Sequence, residues 1–591
     1  MELNSFAPGA VKLTGGLIKQ RFDLNHKYVS SLKNENLLQN HLLEAGLWTI
    51  HGKPDNSHWG WESPLCQLRG HFLGHWMSAA SRIYLAVGDE SLKARVNQIV
   101  GDLARCQQAN GGEWVASIPE KYLEWAHSGK QVWAPHYTVH KTMLGLFDAY
   151  KLLGNEQALE VLINFAKWFT RYTQRFSRKE MDDILDVETG GMLEAFANLY
   201  GETKRQEHLD LVHAYDRARF FDRVLAGEDA LTDKHANTTI PEVLGAARAW
   251  EVTGERRWRD IAEAYWKSAV TDRGYFCTGG QTNGEVWTPP HEFSTRLSAT
   301  NQEHCTVYHM MALAQALFRW TGKAEYADYW ERNLYNGILA QQSARTGQVA
   351  YYLGLEAGSK KGWGTPTDNF WCCHGTLVQA QSGYDTGIFF EGEGGLALAQ
   401  YIPCETVWNQ GGAPVKLRLT DTAQSKLQNS PDAWRYELAV SCQERRFGLK
   451  VRIPRWVSGA PRVAVNGVPA DLPVKSGFFE LDRVWKEDTV TIELPKKLMA
   501  EPMDDRPDTV AFMNGPVVYA GLLPGGRELT GDAARPVSML QPRYICEWDR
   551  WRLHYCTVNQ TENFKLIPLY EVEDQNYTVY FPVKDISGAR L

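Results

Sequence analysis

The chain has 591 residues, 43% of them hydrophobic and 23% charged, more than one simple core can use, and about two to four domains are expected. Its net charge of −7 is spread without a basic run, which argues against nucleic acid as a partner. No stretch approaches the ~18 uninterrupted apolar residues of a membrane helix, which argues against a membrane partner.

In chain order, the opening MELNSFAPGAVKLTGGLIKQ lacks a basic run followed by an apolar one. It does not read as a secretion signal, and the expected location is cytoplasmic. Ten cysteines scattered between Cys66 and Cys556 fit reduced thiols better than a disulfide framework. From about residue 30 to residue 385, apolar residues recur every three or four positions, the period of amphipathic helices. One unit repeats: an apolar helix, a short turn with glycine, then a second helix. It is read in SRIYLAVGDESLKARVNQIVGDL, LFDAYKLLGNEQALEVLINFAKWF, FANLYGETKRQEHLDLVHAYDRARF, AARAWEVTGERRWRDIAEAYWKSAV and ALFRWTGKAEYADYWERNLYNGIL. Gly88, Gly154, Gly201, Gly254 and Gly322 fall where helix C-caps belong. A sixth unit is expected from a helix pair near residues 29–47 or from the stretch after Cys373. The spacing is too irregular for a regular open solenoid, and the insertions resemble loops around one end of a ring. The pattern therefore favours a closed α/α barrel over residues 1–388, with about the first 25 residues available to pack on the β region that follows.

After Asp385 the apolar period becomes two. LKVRIPRW, RVAVNGVPADL, GFFELDR, TVTIELP and VVYAGLL read as antiparallel strands separated by Asn-Gly, Pro and Gly turns. The expected fold class is a multidomain α + β chain, an (α/α)6 barrel followed by antiparallel β-sandwich domains. The first β domain is expected over 389–500, and its completion or a second one over 501–591. No dense set of catalytic residue types occurs there, so a packing or ligand-shaping role is expected. The 22 Trp and 25 Tyr fit either core packing or stacking on sugar rings.

Chemistry concentrates in two short stretches. DNFWCCHGT carries the vicinal pair Cys372 and Cys373, and ATNQEHCTVYHM carries Glu303 and Cys305. Two ligands from each of two segments is a common way to assemble a four-coordinate metal site, and three thiolates with one carboxylate suit Zn²⁺. The alternative is three small buried hydrophobes, since free cysteine is among the most buried residue types. With zinc bound, a closed ligand set points to a structural site. A thiolate held at neutral pH could equally serve as a nucleophile. Displacement at a sugar then needs a general acid, for which Glu285 in GGQTNGEVW and Glu292 in PPHEF are candidates.

Several segments together carry a resemblance: RGHFLGHW, YTVHKTMLGLFDAY, DDILDVETGGMLEAFANLY, HANTTIPEVLGAARAWEVTG, NGEVW, ATNQEHCTVYHM, FWCCHGT, LKVRIPRW, VAVNG and MNGPVVYAGLL, in that order. The chain resembles the zinc-dependent β-L-arabinofuranosidases of glycoside hydrolase family 127 and its relative family 146 over nearly its whole length. The resemblance implies a retaining exo-hydrolase of oligosaccharides or glycoconjugates, with Glu303, Cys305, Cys372 and Cys373 as zinc ligands. Cys372 would also be the nucleophile and Glu285 the acid/base, with Glu292 still open. Arabinose contacts would fall on His140, Glu194, His235 and Tyr352. His374, after the C-C pair, departs from some relatives and could bond the thiolate or point away. Two alternatives stand beside this: the same mechanism on another furanoside or rare sugar, and a non-catalytic carbohydrate-binding protein with structural zinc. A homodimer is the assembly to test.

Overall fold

A computed structural model describes residues 3–47, 57–422, 427–428, 432–547 and 550–585. The helices His71–Val87, Pro135–Leu153, Met192–Thr203, Ala236–Thr253, His304–Thr321 and Cys372–Ser382 pack side by side, the last against the first, and so close a ring. Outside them lie Glu90–Ala109, Glu156–Thr173, Gln206–Ala214, Arg256–Trp266 and Ala324–Asn333, each following its inner partner in the chain. The sixth outer position is filled by Gly16–Ser31, which pairs with Cys372–Ser382 from the other end of the barrel segment. The sixth hairpin thus joins the two ends of this half. Residues 34–44 form only two short helices, and the pair expected near 29–47 does not occur among the described residues.

Inner helices touch neighbours on both flanks and are buried nearly all round, as residues 71–81 illustrate. The first two cross backbone to backbone: a Cβ built on Gly74 would fall 1.6 Å from the carbonyl oxygen of Lys141. Gly88, Gly154, Gly254 and Gly322 cap their helices in the left-handed conformation, with φ of 67–75°. Gly201 does not. It lies inside Met192–Thr203 against Val252 and Arg248, and Lys204 takes the left-handed C-cap at φ 54°. At that position the glycine serves close helix packing.

The β region begins at Phe389 and draws in the start of the chain. Leu3–Ser5 pairs with Phe389–Gly392, and Val11–Leu13 with Cys404–Gln410. Its centre is the long hairpin Ala433–Arg452 with Phe478–Pro495, so the two strands expected as GFFELDR and TVTIELP are one. A bulge between Ser441 and Arg445 bends the pair. One half of Ala433–Arg452 then pairs with Ala413–Asp421 and the other with Gly395–Leu398. The expected Asn-Gly hairpin is present, with Asn466 and Gly467 both at positive φ between Arg462–Val465 and Val468–Pro469. A second sheet takes the strands between Leu498 and Asp585, with the short strand Leu427–Gln428 added beside Arg550–Thr557.

Buried polar bonds fix the β region to the barrel. Arg452, fully buried, pairs with Asp328 at 2.5 Å and Glu331 at 2.6 Å on the helix Ala324–Asn333. Arg332 forks onto Glu501 at 2.6 and 2.8 Å. Asn336 donates to the Pro516 carbonyl and accepts from the Val518 amide. Among the described residues no helix is long and apolar enough to cross a membrane.

Candidate active site

The inner helices begin at one end of the ring, and the residues singled out above collect there. Glu303 caps His304–Thr321 and Cys305 lies in that helix's first turn, while Cys372 and Cys373 open Cys372–Ser382. Two helix N-termini thus present their positive ends to one group of anionic ligand atoms. All four side chains are buried, and their ligand atoms lie within 4.8 Å of one another. Sγ of Cys305 is 3.4 Å from Sγ of Cys373, and Sγ of Cys372 is 3.4 Å from Glu303 Oε1 and 3.9 Å from Cys373. Tetrahedral bonds of about 2.0–2.3 Å span edges of about 3.3–3.8 Å, so these separations suit one zinc-sized ion. Glu303 Oε2 is buried with no hydrogen-bond partner, as expected of an oxygen whose partner is a cation. The donor set therefore fits zinc.

The approach to these helices is strained. Gln302 and Phe370, just before the ligand pairs, have φ of 48° and 46°, a conformation side chains avoid at a cost of about 1–2 kcal/mol. Gln302 is held by Thr278 and by a bond to the Asn336 carbonyl. The Phe370 carbonyl accepts from His71 Nε2 at 2.8 Å, and His71 Nδ1 accepts from the Tyr137 hydroxyl at 3.1 Å.

Glu285 sits at the tip of a tight hairpin. Asn283 pairs with Val286, leaving Gly284 and Glu285 as a two-residue turn with φ of 57° and 68°, the type I′ geometry. The second turn position usually takes glycine, so a glutamate there is a costly choice. The Ala236 amide donates to the Glu285 carbonyl and anchors the turn. The carboxylate accepts from the Tyr351 hydroxyl at 2.6 Å and the Tyr352 hydroxyl at 2.7 Å, both at Oε1. His235 Nε2 lies 3.0 Å from Oε2, and its Nδ1 is 2.7 Å from Thr238 Oγ1. The His235 contact, followed by the two tyrosines against the opposing effect of burial, holds the Glu285 carboxyl down at about 2. His235, Glu285 and Glu303 also lie within 4.8 Å of one another, so this cluster adjoins the thiol cluster.

The Tyr351 hydroxyl is also 3.6 Å from Cys372 Sγ and thus stands between that thiol and Glu285. Burial disfavours the Cys372 thiolate, but its contacts with the Cys305 and Cys373 thiols and with the Tyr351 hydroxyl outweigh it and hold the thiol well below its usual range. Burial instead pushes the thiols of Cys305 and Cys373 well up. Glu303 is also held well above the usual carboxylate range, first by burial and then by negative charge at Cys372 and Glu285.

The other expected residues divide. Tyr352 and His235 are at the site. His140 is buried with both ring nitrogens unpartnered, 4.0 Å from Glu194. Glu194 lines a cavity of about 510 Å³ further down the barrel, beside Arg82 and Tyr308. Glu292 is exposed and pairs with Arg296. His374 bonds the Thr365 carbonyl through Nε2 and packs its ring on Trp371. Sequence reasoning missed Tyr351, and gave no role to His71 or to the aromatic collar Trp61, Tyr137, Tyr351 and Trp371 packed against the thiols. The motif RGHFLGHW and the doublet in VAYYLG were the available signals.

A closed α/α barrel whose helix starts hold three thiols and a carboxylate, beside a histidine-bonded second carboxylate, has the make-up of a carbohydrate-cleaving enzyme. Residues 10–386 match the family model described as the β-L-arabinofuranosidase, GH127 catalytic domain, and residues 395–496 match the GH127 middle domain. The chain belongs to glycoside hydrolase family 127. It is 26% identical over 527 residues to a non-reducing end β-L-arabinofuranosidase of Bifidobacterium longum subsp. longum, covering 75% of this chain and 74% of the relative. A solved GH127 β-arabinofuranosidase superposes with a TM-score of 0.76 at 17% identity, covering 99% of this chain and 98% of that one. A GH127 β-L-arabinofuranosidase from Geobacillus stearothermophilus T6 gives 0.75 at 17% identity, covering 97% and 100%.

Proposed function

We propose that the enzyme releases terminal β-L-arabinofuranosyl residues from oligosaccharides or glycoconjugates with retention of configuration, Cys372 acting as nucleophile and Glu285 as acid/base. The observation that carries this reading is the single hydroxyl of Tyr351 standing between the Cys372 sulfur and the Glu285 carboxylate. Of the three clustered thiols, Cys372 is the one recorded against the Tyr351 hydroxyl that also bonds Glu285, and a thiolate is the form that attacks carbon.

In the first step the Cys372 sulfur bonds the anomeric carbon as the glycosidic bond breaks. Glu285 passes a proton to the departing oxygen, so an alcohol leaves and an S-glycosyl cysteine remains. In the second step Glu285 takes a proton from water, whose oxygen bonds the anomeric carbon as the carbon–sulfur bond breaks. Two inversions leave the starting configuration. Glu285 is a carboxylate in the free protein, the form the second step needs. For the first step it must carry a proton, and His235, 3.0 Å from Oε2 and partly open to solvent, is the group within reach to pass one on. Zinc held by Glu303, Cys305, Cys372 and Cys373 would keep the thiolates ionised and make sulfur a better leaving group. His140 and Glu194 are read as further sugar contacts. The described free cysteines suit a reducing, cytoplasmic setting.

The test is turnover of an aryl β-L-arabinofuranoside beside its α anomer, by wild type and by Cys372→Ser. Release from the β anomer alone, lost in Cys372→Ser while fold and zinc content persist, is expected. Release from neither anomer by zinc-loaded wild type would remove the substrate assignment. Turnover surviving in Cys372→Ser would remove the nucleophile.

A further inference from the structure

Beyond the half-buried collar, a large aromatic side chain stands in the open. Trp133 is 47% exposed, and its ring meets Trp61 edge-on at 4.9 Å between centroids. Trp61 meets Tyr351 at 6.4 Å, and Tyr351 donates to Glu285. A chain of aromatic contacts therefore runs from solvent to the group that protonates the departing oxygen.

Both tryptophans are held in place at some cost. Trp133 precedes Ala134, whose φ of 44° and ψ of 57° are left-handed, although the residue before a proline normally lies in the extended region. Its amide donates to Gln67 Oε1 at 2.8 Å, which ties it to the loop carrying Trp61. Trp61 is fixed by its amide's bond to the Asn369 carbonyl at 2.9 Å, and Gly60 permits this approach: a Cβ there would fall 2.3 Å from that oxygen. The segment that leads into Cys372 thus also positions Trp61. Strain kept beside an exposed apolar ring calls for a ligand that gains from a flat, rigid face.

We infer that Trp133, backed by Trp61, is the binding face for the first sugar of the leaving group, the ring joined to the scissile oxygen. The ligand class is a pyranose or furanose presenting its C–H face. The inference rests on the proposed reaction, because Glu285 fixes the direction in which the leaving group departs. Trp133 is a specificity residue and touches no reacting atom.

The experiment compares wild type, Trp133→Ala and Trp133→Phe on two substrates: a β-L-arabinofuranosyl disaccharide and methyl β-L-arabinofuranoside, whose leaving group has no ring to lay on Trp133. The expected result is a kcat/KM for the disaccharide about tenfold or more lower in Trp133→Ala, carried mainly by KM, with the methyl glycoside unchanged and Trp133→Phe recovering most of the loss. Equal losses on both substrates, or no loss on the disaccharide, would overturn the inference. Should wild type cleave neither, the proposed reaction fails separately, and disaccharide binding is then read by tryptophan fluorescence. Quenching in wild type that is absent in Trp133→Ala supports the face; identical titrations overturn it.

Discussion

A metal ion held as proposed by Glu303, Cys305, Cys372 and Cys373 should add a definite amount of stability to the barrel, removed by chelation with a definite pH dependence. The four ligand atoms lie within 4.8 Å of one another and are all buried, a group that one cation would hold together. An ion present at about 1,000 times its Kd stabilises the folded chain by about 4 kcal/mol. For the matched barrel, residues 10–386, an unfolding entropy of about 2.1 cal/mol/K per residue sums to about 0.8 kcal/mol/K, so removal should lower its midpoint by about 5 °C. The sign with pH follows from Glu303. Burial, then Cys372 and Glu285, raise its metal-free carboxyl above the unfolded value of ~4.3. A carboxyl raised on folding contributes stability below its unfolded value and loses it as pH climbs through the folded one. Binding an ion must expel the protons that burial holds on Glu303, Cys305 and Cys373, so the loaded form gains on the metal-free one as pH rises. Scanning calorimetry with chelator, and with zinc restored, should show the gap widening from about pH 6 to about pH 8. A midpoint indifferent to chelator and zinc, or a gap that narrows as pH rises, would refute this reasoning.

Replacing Glu285 by Gln should lower kcat by about 10²–10⁴-fold, and least on substrates with good leaving groups. Added azide should then release a β-configured glycosyl azide, identified by NMR; no rescue would count against Glu285 as the base. Arg452→Met should destabilise by about 3–5 kcal/mol in urea titrations at neutral pH, because it strands Asp328 and Glu331 in the interior. Burial already raises both carboxyls against the pull of Arg452, and its loss raises them further. The variant's deficit should therefore shrink as pH falls, and a pH-independent deficit would contradict it.

What was legible in the sequence was local. Glu303-x-Cys305 and Cys372-Cys373 each sit at the start of a helix, so short spacing along the chain already meant closeness in space. The change of period near Asp385 marks where helices give way to strands. Tyr351 was not legible, because neighbours in extended chain normally point apart, whereas here Tyr351 and Tyr352 both reach Glu285 Oε1. Glu285 could be named only as one of two loop candidates beside Glu292, because its approach to His235 depends on a hairpin bridged to residues 50 positions away in the chain. Gly201 misled because a glycine near a helix end reads as a cap, while its work is against Val252 on the next inner helix. The stretch after Cys373 was legible as one half of the sixth hairpin, but its partner Gly16–Ser31 was not, because the two halves lie at opposite ends of the barrel segment.

That last pairing sets an order of assembly. The helix Gly16–Ser31 leaves the ribosome ahead of all six inner helices, and its partner begins at Cys372, about 340 residues later. At ~5–20 residues per second it waits ~17–70 s with its apolar side uncovered by its final neighbour. Glu303 and Cys305 are made in that interval, but Cys372 and Cys373 arrive on the segment that seals the ring. The thiols therefore meet only when the barrel closes. An ion that needs all four ligands can be held only once that last inner helix has joined the ring.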